Sequence, residues 1–184
     1  MRLLFATHNA NKLAEARQIL GAKGIEIDHL DMEYEEPRGE DTSEIAEKSA
    51  RGLFSGIRKP LFLEDAGLFI EALNGFPGPY SAWVFRKMGY QGILDLLKGK
   101  GSRRAHFKSS VAYADDNGVR VFEGKVEGSI AMQAGGESGF GYDPVFVPDG
   151  YGETFAEMDR AIKNSISHRK MALEKLAGHL LSPS

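Results

Sequence analysis

The stretch LLFATHNANKLAEARQIL, residues 3–20, passes from a strand pattern to a helix pattern through six mostly polar residues. RLLFA (2–6) is a short apolar run and reads as a buried strand. Leu13, Ala16, Ile19 and Leu20 then recur at helical spacing, and Gly21 and Gly24 supply the stop. Between the two, THNANK (7–12) puts Lys12 in the first helical turn, where the helix dipole favours an acid. Two readings compete. In the plainer one, an asparagine caps the helix and the segment is a turn. In the other, the helix start cradles an anion, with Thr7, Asn9 and Asn11 as donors and Lys12 as counter-charge. A Walker loop is excluded, because G-x-x-x-x-G-K-[ST] is absent.

Outward from this unit, strand and helix patterns keep mixing. IEIDHL (25–30) alternates like a second strand, and residues 31–41 carry six acids and one base. Asp41 is the expected cap of a helix with Glu44 at its third position and Ile45, Leu53, Phe54 and Ile57 on one face. PLFLEDAGLFIEAL (60–73) reads as a strand, an acidic pair and further apolar sequence, followed by a loop at NGFPGPY (74–80). Helical spacing returns in SAWVFRKM and in GILDLLK. Residues 105–132 read as long strands with a hairpin at DDNG, and a glycine-rich irregular span follows. The last helix is expected to start near Ser167, which would cap it. The pattern predicts an α/β fold in one domain, residues 1–184.

Composition narrows the function. With 184 residues, 42% of them hydrophobic, the chain can bury a substantial core. A formal net charge of −3 gives no reason to expect nucleic acid or an anionic membrane as a partner. The absence of cysteine excludes disulfides, thiolate catalysis and cysteine-bound zinc. The first residues carry no signal pattern, and no apolar run approaches the roughly 20 residues of a membrane span, so the expected location is the cytoplasm.

Three further stretches carry candidate chemistry. SHRK (167–170) sets His168, Arg169 and Lys170 at a second helix start, with Lys163 just upstream. Exposed cations there oppose the dipole by roughly 0.3–1 kcal/mol each, a cost that a bound phosphate would reverse. Either the turn is simply solvated, or two basic helix starts serve a polyphosphate. Glu64 and Asp65 fall at a strand end, where ligands meet open α/β sheets, and being adjacent they point to opposite faces. With the acids at Glu35, Glu36 and Glu40, they suit Mg²⁺, which takes one or two carboxylates and otherwise binds water and phosphate. In GGESGFGYDPVF (135–146), Gly139 and Gly141 let the backbone approach a ligand closely. Phe140 and Tyr142 offer ring faces to a base, and Asp143 an acceptor for its N–H. The alternative is a turn before a strand.

The order T-x-N-x-x-K, acidic loop, EDAGL, GFPGPYS, GFGYDPVF, TFAEM, KNSISHR resembles the inosine triphosphate pyrophosphatase family. These are the Ham1-like non-standard purine nucleoside triphosphate pyrophosphatases, or XTP/dITP diphosphatases. The resemblance runs from residue 3 to about 175. It implies a long mixed central β-sheet, with helices forming two lobes around a nucleotide-binding cleft, and a homodimer. It implies Mg²⁺-dependent hydrolysis of ITP, dITP and XTP to the monophosphate and pyrophosphate, with Mn²⁺ as a possible substitute. By motif, Thr7, His8, Asn9, Ala10, Asn11 and Lys12 would bind the triphosphate, and Ala66 would contribute its backbone N–H. Asp65 would be catalytic and a metal ligand, with Glu36 the second ligand unless Glu35 or Glu33 takes that place. Phe140, Gly141, Tyr142 and Asp143 would enclose the base, and Lys163, His168 and Arg169 would complete the base and phosphate contacts. Two positions depart from the family pattern: His8 stands where Gly or Ser is usual, and Ala66 where a hydroxyl residue is usual. The rival readings are a Maf-type nucleotide pyrophosphatase, a non-enzymatic nucleotide sensor and an interaction module.

Overall fold

The computed structural model describes residues 1–34 and 37–182. The order is β1 (Arg2–Ala6), α1 (Ala10–Gly21), β2 (Glu26–Leu30), α2 (Thr42–Ile57), β3 (Leu61–Ile70), β4 (Pro77–Gly78), α3 (Ser81–Leu96), β5 (Arg104–Asp115), β6 (Gly118–Ile130), β7 (Phe146–Pro148), α4 (Arg160–Ile166) and α5 (His168–Leu181). The strands form one mixed sheet in the order β2-β1-β3-β5-β6-β7, with β4 paired to β3. β1 runs parallel to both β2 and β3, while β3–β4 and β6–β7 are antiparallel. The expected α/β class and mixed sheet are therefore present. Among the described residues no helix is long and apolar enough to cross a membrane.

The chain divides into two compact units, residues 1–65, 109–124 and 168–184 in unit 1, and residues 66–108 and 125–167 in unit 2. Unit 1 holds two apolar clusters. Phe5 and Phe62 stack at 4.3 Å in one, with Leu20, Ile25 and Leu176 around them. Ala46, Ala50, Leu61 and Leu63 pack in the other. Unit 2 has one core, in which Phe107, Phe146 and Phe155 meet ring to ring. Its apolar residues come from β3, α3, β5, β6 and the segment 142–158.

Local chemistry explains most boundaries. The Asn9 side chain accepts from the backbone N–H groups of Asn11 and Lys12 and so caps α1. Asp41 caps α2 through Ser43, as its sequence predicts, and Glu44 in the first turn pairs with Lys48 one turn on. The residues of α3 form two helical runs broken at Gly89 (φ 60, ψ −169), in line with the two separate helical stretches in the sequence. The DDNG hairpin joins β5 to β6, and Asp115 accepts from the Asn117 N–H. Two short strands, β4 and β7, lie in segments that read as irregular. α5 starts at His168, as expected, and Ser167 before it has the extended backbone (φ −72, ψ 148) of a residue flanking a helix start; it also ends α4, a seven-residue helix capped by Asp159.

Candidate active site

Unit 1 assembles charged residues around the middle of β3. The acidic pair Glu64 and Asp65, expected at a strand end, lies within the strand, which continues to Ile70 because the apolar run after the pair stays in the sheet. Thr7 Oγ1 accepts from the Asn9 N–H at 3.1 Å, and Asn9 in turn caps α1, so residues 7–12 form a preordered turn. The capped-turn reading is thus correct as local structure, and it leaves the anion reading open. Lys12 departs from the helix: its ammonium donates to the Glu64 carbonyl at 3.1 Å and stands 3.9 Å from the Glu64 carboxylate. With 18% of its side chain exposed, it keeps access to solvent. The apparent misfit of Lys12 with the α1 dipole is resolved by tertiary contact with β3.

Glu64 is the anchor of this cluster. Its side chain is 1% exposed and accepts from Ser109 Oγ at 2.7 Å and from Arg169 Nε at 2.8 Å. Burial alone would push its carboxyl up; Arg169 and Lys12, with the hydrogen bonds from Arg169 and Ser109, reverse that and hold it at about 2. Glu64 is therefore ionised at any working pH and fully engaged with Ser109 and Arg169. Asp65, next along the strand, is only partly buried and alternates to the other face.

Arg169 lies in the first turn of α5, with 4% of its side chain exposed. A second arm of its guanidinium pairs with Glu15, which is buried on α1 one turn beyond Lys12. Burial alone would lower the Arg169 pKa, but Glu64 and Glu15 raise it above its ordinary value. Its charge is thus balanced from within the protein. His168, the first residue of α5, is also buried. Sequence reasoning passed over both Glu15 and Ser109.

The remaining predicted residues of unit 1 are dispersed. His8 pairs through Nδ1 with Asp31 at 2.8 Å and is exposed, as are Ala10 and Asn11. Glu36 lies outside the described residues, as does Glu35, so the proposed second metal ligand has no described position. Among the described residues no group of three or more His, Asp or Glu side chains gathers as a metal site. Asp65, partly buried with its Oδ2 enclosed, nonetheless offers the carboxylate donor type of Mg²⁺, which relies mostly on water and phosphate oxygens.

In unit 2, residues 139–143 form a tight turn. Gly139 adopts φ +79, and a Cβ there would stand 2.2 Å from Asp143 Oδ2. Asp143 is buried, accepts from the Phe140 N–H at 2.7 Å and pairs with the buried Lys163 at 2.6 Å. The Lys163 ammonium also sits 4.9 Å from the Phe140 ring centre. Tyr142 differs from the ring platform expected of it. It is in the core, edge-on to Phe85, and its hydroxyl donates to the Ser81 carbonyl. Burial raises its pKa to about 12. Phe140 and Gly141 remain partly exposed, and Ala66 in β3 likewise.

The Ham1 family model matches residues 3–179. The chain belongs to the Ham1 family. It is 48% identical to a dITP/XTP pyrophosphatase of Thermococcus kodakarensis over 180 residues, covering 98% of this chain and 97% of that one. It is 49% identical over 178 residues to a dITP/XTP pyrophosphatase of Methanopyrus kandleri, covering 96% and 95%. Among solved structures, a HAM1 protein from Coxiella burnetii superposes with a TM-score of 0.86 at 32% identity, covering 98% of both chains. The Staphylococcus aureus Ham1 protein gives the same TM-score at 29% identity and the same coverage. Family and fold thus rest on nearly the whole chain.

Proposed function

We propose that this chain hydrolyses the non-standard purine nucleoside triphosphates ITP, dITP and XTP to the monophosphate and pyrophosphate, clearing deaminated purines from the nucleotide pool. The observation that carries the reading is the unit 1 cluster. A preordered helix start with an accessible ammonium at Lys12 lies on the strand that presents Asp65. The names of the relatives, dITP/XTP pyrophosphatases, support the same substrate class.

Cleavage between the α and β phosphates needs in-line attack of water and stabilisation of charge spread over phosphate oxygens. Lys12 and the backbone N–H groups of residues 7–12 would bind those oxygens. Asp65 would orient the attacking water and accept its proton. Bound through Asp65, with Glu36 as the second carboxylate, Mg²⁺ or Mn²⁺ would neutralise phosphate charge and polarise water. Ala66 would serve through its backbone N–H. Phe140 and Gly141 would approach the base, with Lys163 and Asp143 setting the shape of that turn. Donors facing O6 of hypoxanthine or xanthine, His168 among them, would be left unpaired by the 6-amino group of adenine, which rejects ATP. The guanine nucleotide must be rejected at its 2-amino group.

The reading includes a cytoplasmic enzyme working as a homodimer. Phe76, Tyr80 and Trp83 are exposed large aromatics in one short stretch of unit 2, a surface suited to a second copy. The test is pyrophosphate release from ITP, XTP, dITP, GTP and ATP with and without a chelator, on material sized by sedimentation. ITP, dITP and XTP should turn over at least tenfold faster than ATP and GTP, only with divalent metal, in a particle of twice 20.2 kDa. Equal rates on ITP and ATP would overturn the substrate assignment. Binding without product would leave a sensor, and a monomer would remove the dimer.

A further inference from the structure

The charged residues of unit 1 alternate in sign along one connected line, Glu15–Arg169–Glu64–Lys12. Three of the four are buried, and Lys12 at the end is the partly exposed member. The line carries two positive and two negative charges, so it is neutral before any ligand arrives. Glu15 and Arg169 come from α1 and α5, and Glu64 from β3, so the arrangement is a tertiary one. Glu64 accepts from Ser109 on its other oxygen, which fixes the carboxylate that Arg169 and Lys12 share.

We propose that Glu15 is a positioning residue that balances Arg169, so that the polyphosphate meets the Lys12 ammonium without the added pull of an uncompensated Arg169. The assignment rests on the polyphosphate reading of this site. Its consequence concerns release as well as binding. A cleft carrying a spare buried charge would hold the pyrophosphate product too tightly, because low local polarity screens a buried charge poorly. A neutral line with one accessible end binds by local hydrogen bonds and lets the product go. Glu15 thereby sets affinity without touching substrate.

The test uses inorganic triphosphate and pyrophosphate as ligands, measured by calorimetry on wild type, Glu15→Gln, Arg169→Gln and the double variant. It needs no turnover, so it is read even if the substrate assignment fails. Glu15→Gln leaves the line one positive charge in excess, and should bind both anions about fivefold more tightly with a steeper salt dependence. Arg169→Gln leaves it one negative charge in excess and should weaken binding about fivefold. The double variant is neutral again and should return to within twofold of wild type, on the same reasoning. With nucleotide, Glu15→Gln should lower KM and kcat together as release slows. Should Glu15→Gln not fold, tighter binding by the double variant than by Arg169→Gln reads the same charge. A folded Glu15→Gln protein with unchanged or weaker anion affinity overturns the proposal and leaves Glu15 as a structural partner only. No binding of either anion by folded wild type would overturn the polyphosphate reading itself.

Discussion

Lys12 and Glu64 show how far single residues could be read. A cation in the first turn of α1 is visible in the sequence as an anomaly, but its explanation is a contact with a mid-strand residue 52 positions away. Glu15 left a fainter trace: it falls beside Leu13 and Ala16 in the buried arc of α1, and a buried acid demands a partner of opposite charge. Which of 23 lysines and arginines supplies it cannot be deduced without the fold. Tyr142 and Phe140 looked equivalent as ring platforms, yet one is in the core and the other is partly exposed. The acidic pair divides in the same way. Glu64 is committed to Ser109 and Arg169, which leaves Asp65 as the acid of the pair to which the proposed chemistry is assigned. Replacing Asp65→Asn should therefore cut pyrophosphate release by roughly a hundredfold or more while nucleotide affinity stays within a few-fold of wild type. Steady-state kinetics and equilibrium binding on that variant decide the point; near-normal turnover would remove Asp65 from the mechanism.

Elements with a clear hydrophobic period were legible, and those without one were not. The positions of β1 and β2 and the caps of α1 and α2 agree with the sequence because apolar patterning and capping act within a few residues. β4 and β7 have two and three residues, too few to show a period, and exist because neighbouring strands supply their hydrogen bonds. The start of α5 is decided by close packing. A Cβ at Gly124 of β6 would stand 2.0 Å from the His168 carbonyl oxygen and 2.7 Å from the Ala172 nitrogen. Since backbone cannot yield as a flexible side chain would, Gly124→Ala should displace the first turn of α5. The expected destabilisation is about 1–3 kcal/mol, read as a lower denaturant midpoint. The accompanying loss of activity should exceed that of an alanine at Gly56, where a Cβ meets nothing. An unchanged midpoint for Gly124→Ala would mean that the helix start is not held by this contact.

At the scale of the whole molecule, the buried charges tie stability to pH. Glu64 has a folded pKa of about 2 against an ordinary 4.5, so its contribution is complete above about 4.5 and is lost as pH falls toward 2. Unfolding curves of wild type across that window should lose stability on acidification, and Glu64→Gln, less stable at neutral pH, should show a flatter profile there. Parallel profiles for the two proteins would contradict the assignment of Glu64 as a buried, ionised anchor. The sequence by itself determined the α/β class, the mixed run of strands and helices, and the family motifs, because periodicity, caps and glycine turns are local properties of the chain. Only the tertiary structure decided which charged residues meet: that Lys12 reaches Glu64 within β3, that Arg169 is balanced by Glu15 and Glu64, and that Asp143 engages Lys163. The physical reason is that charge pairing inside a protein is chosen by which elements pack together and exclude water, and residues distant in sequence carry no local signal of that choice.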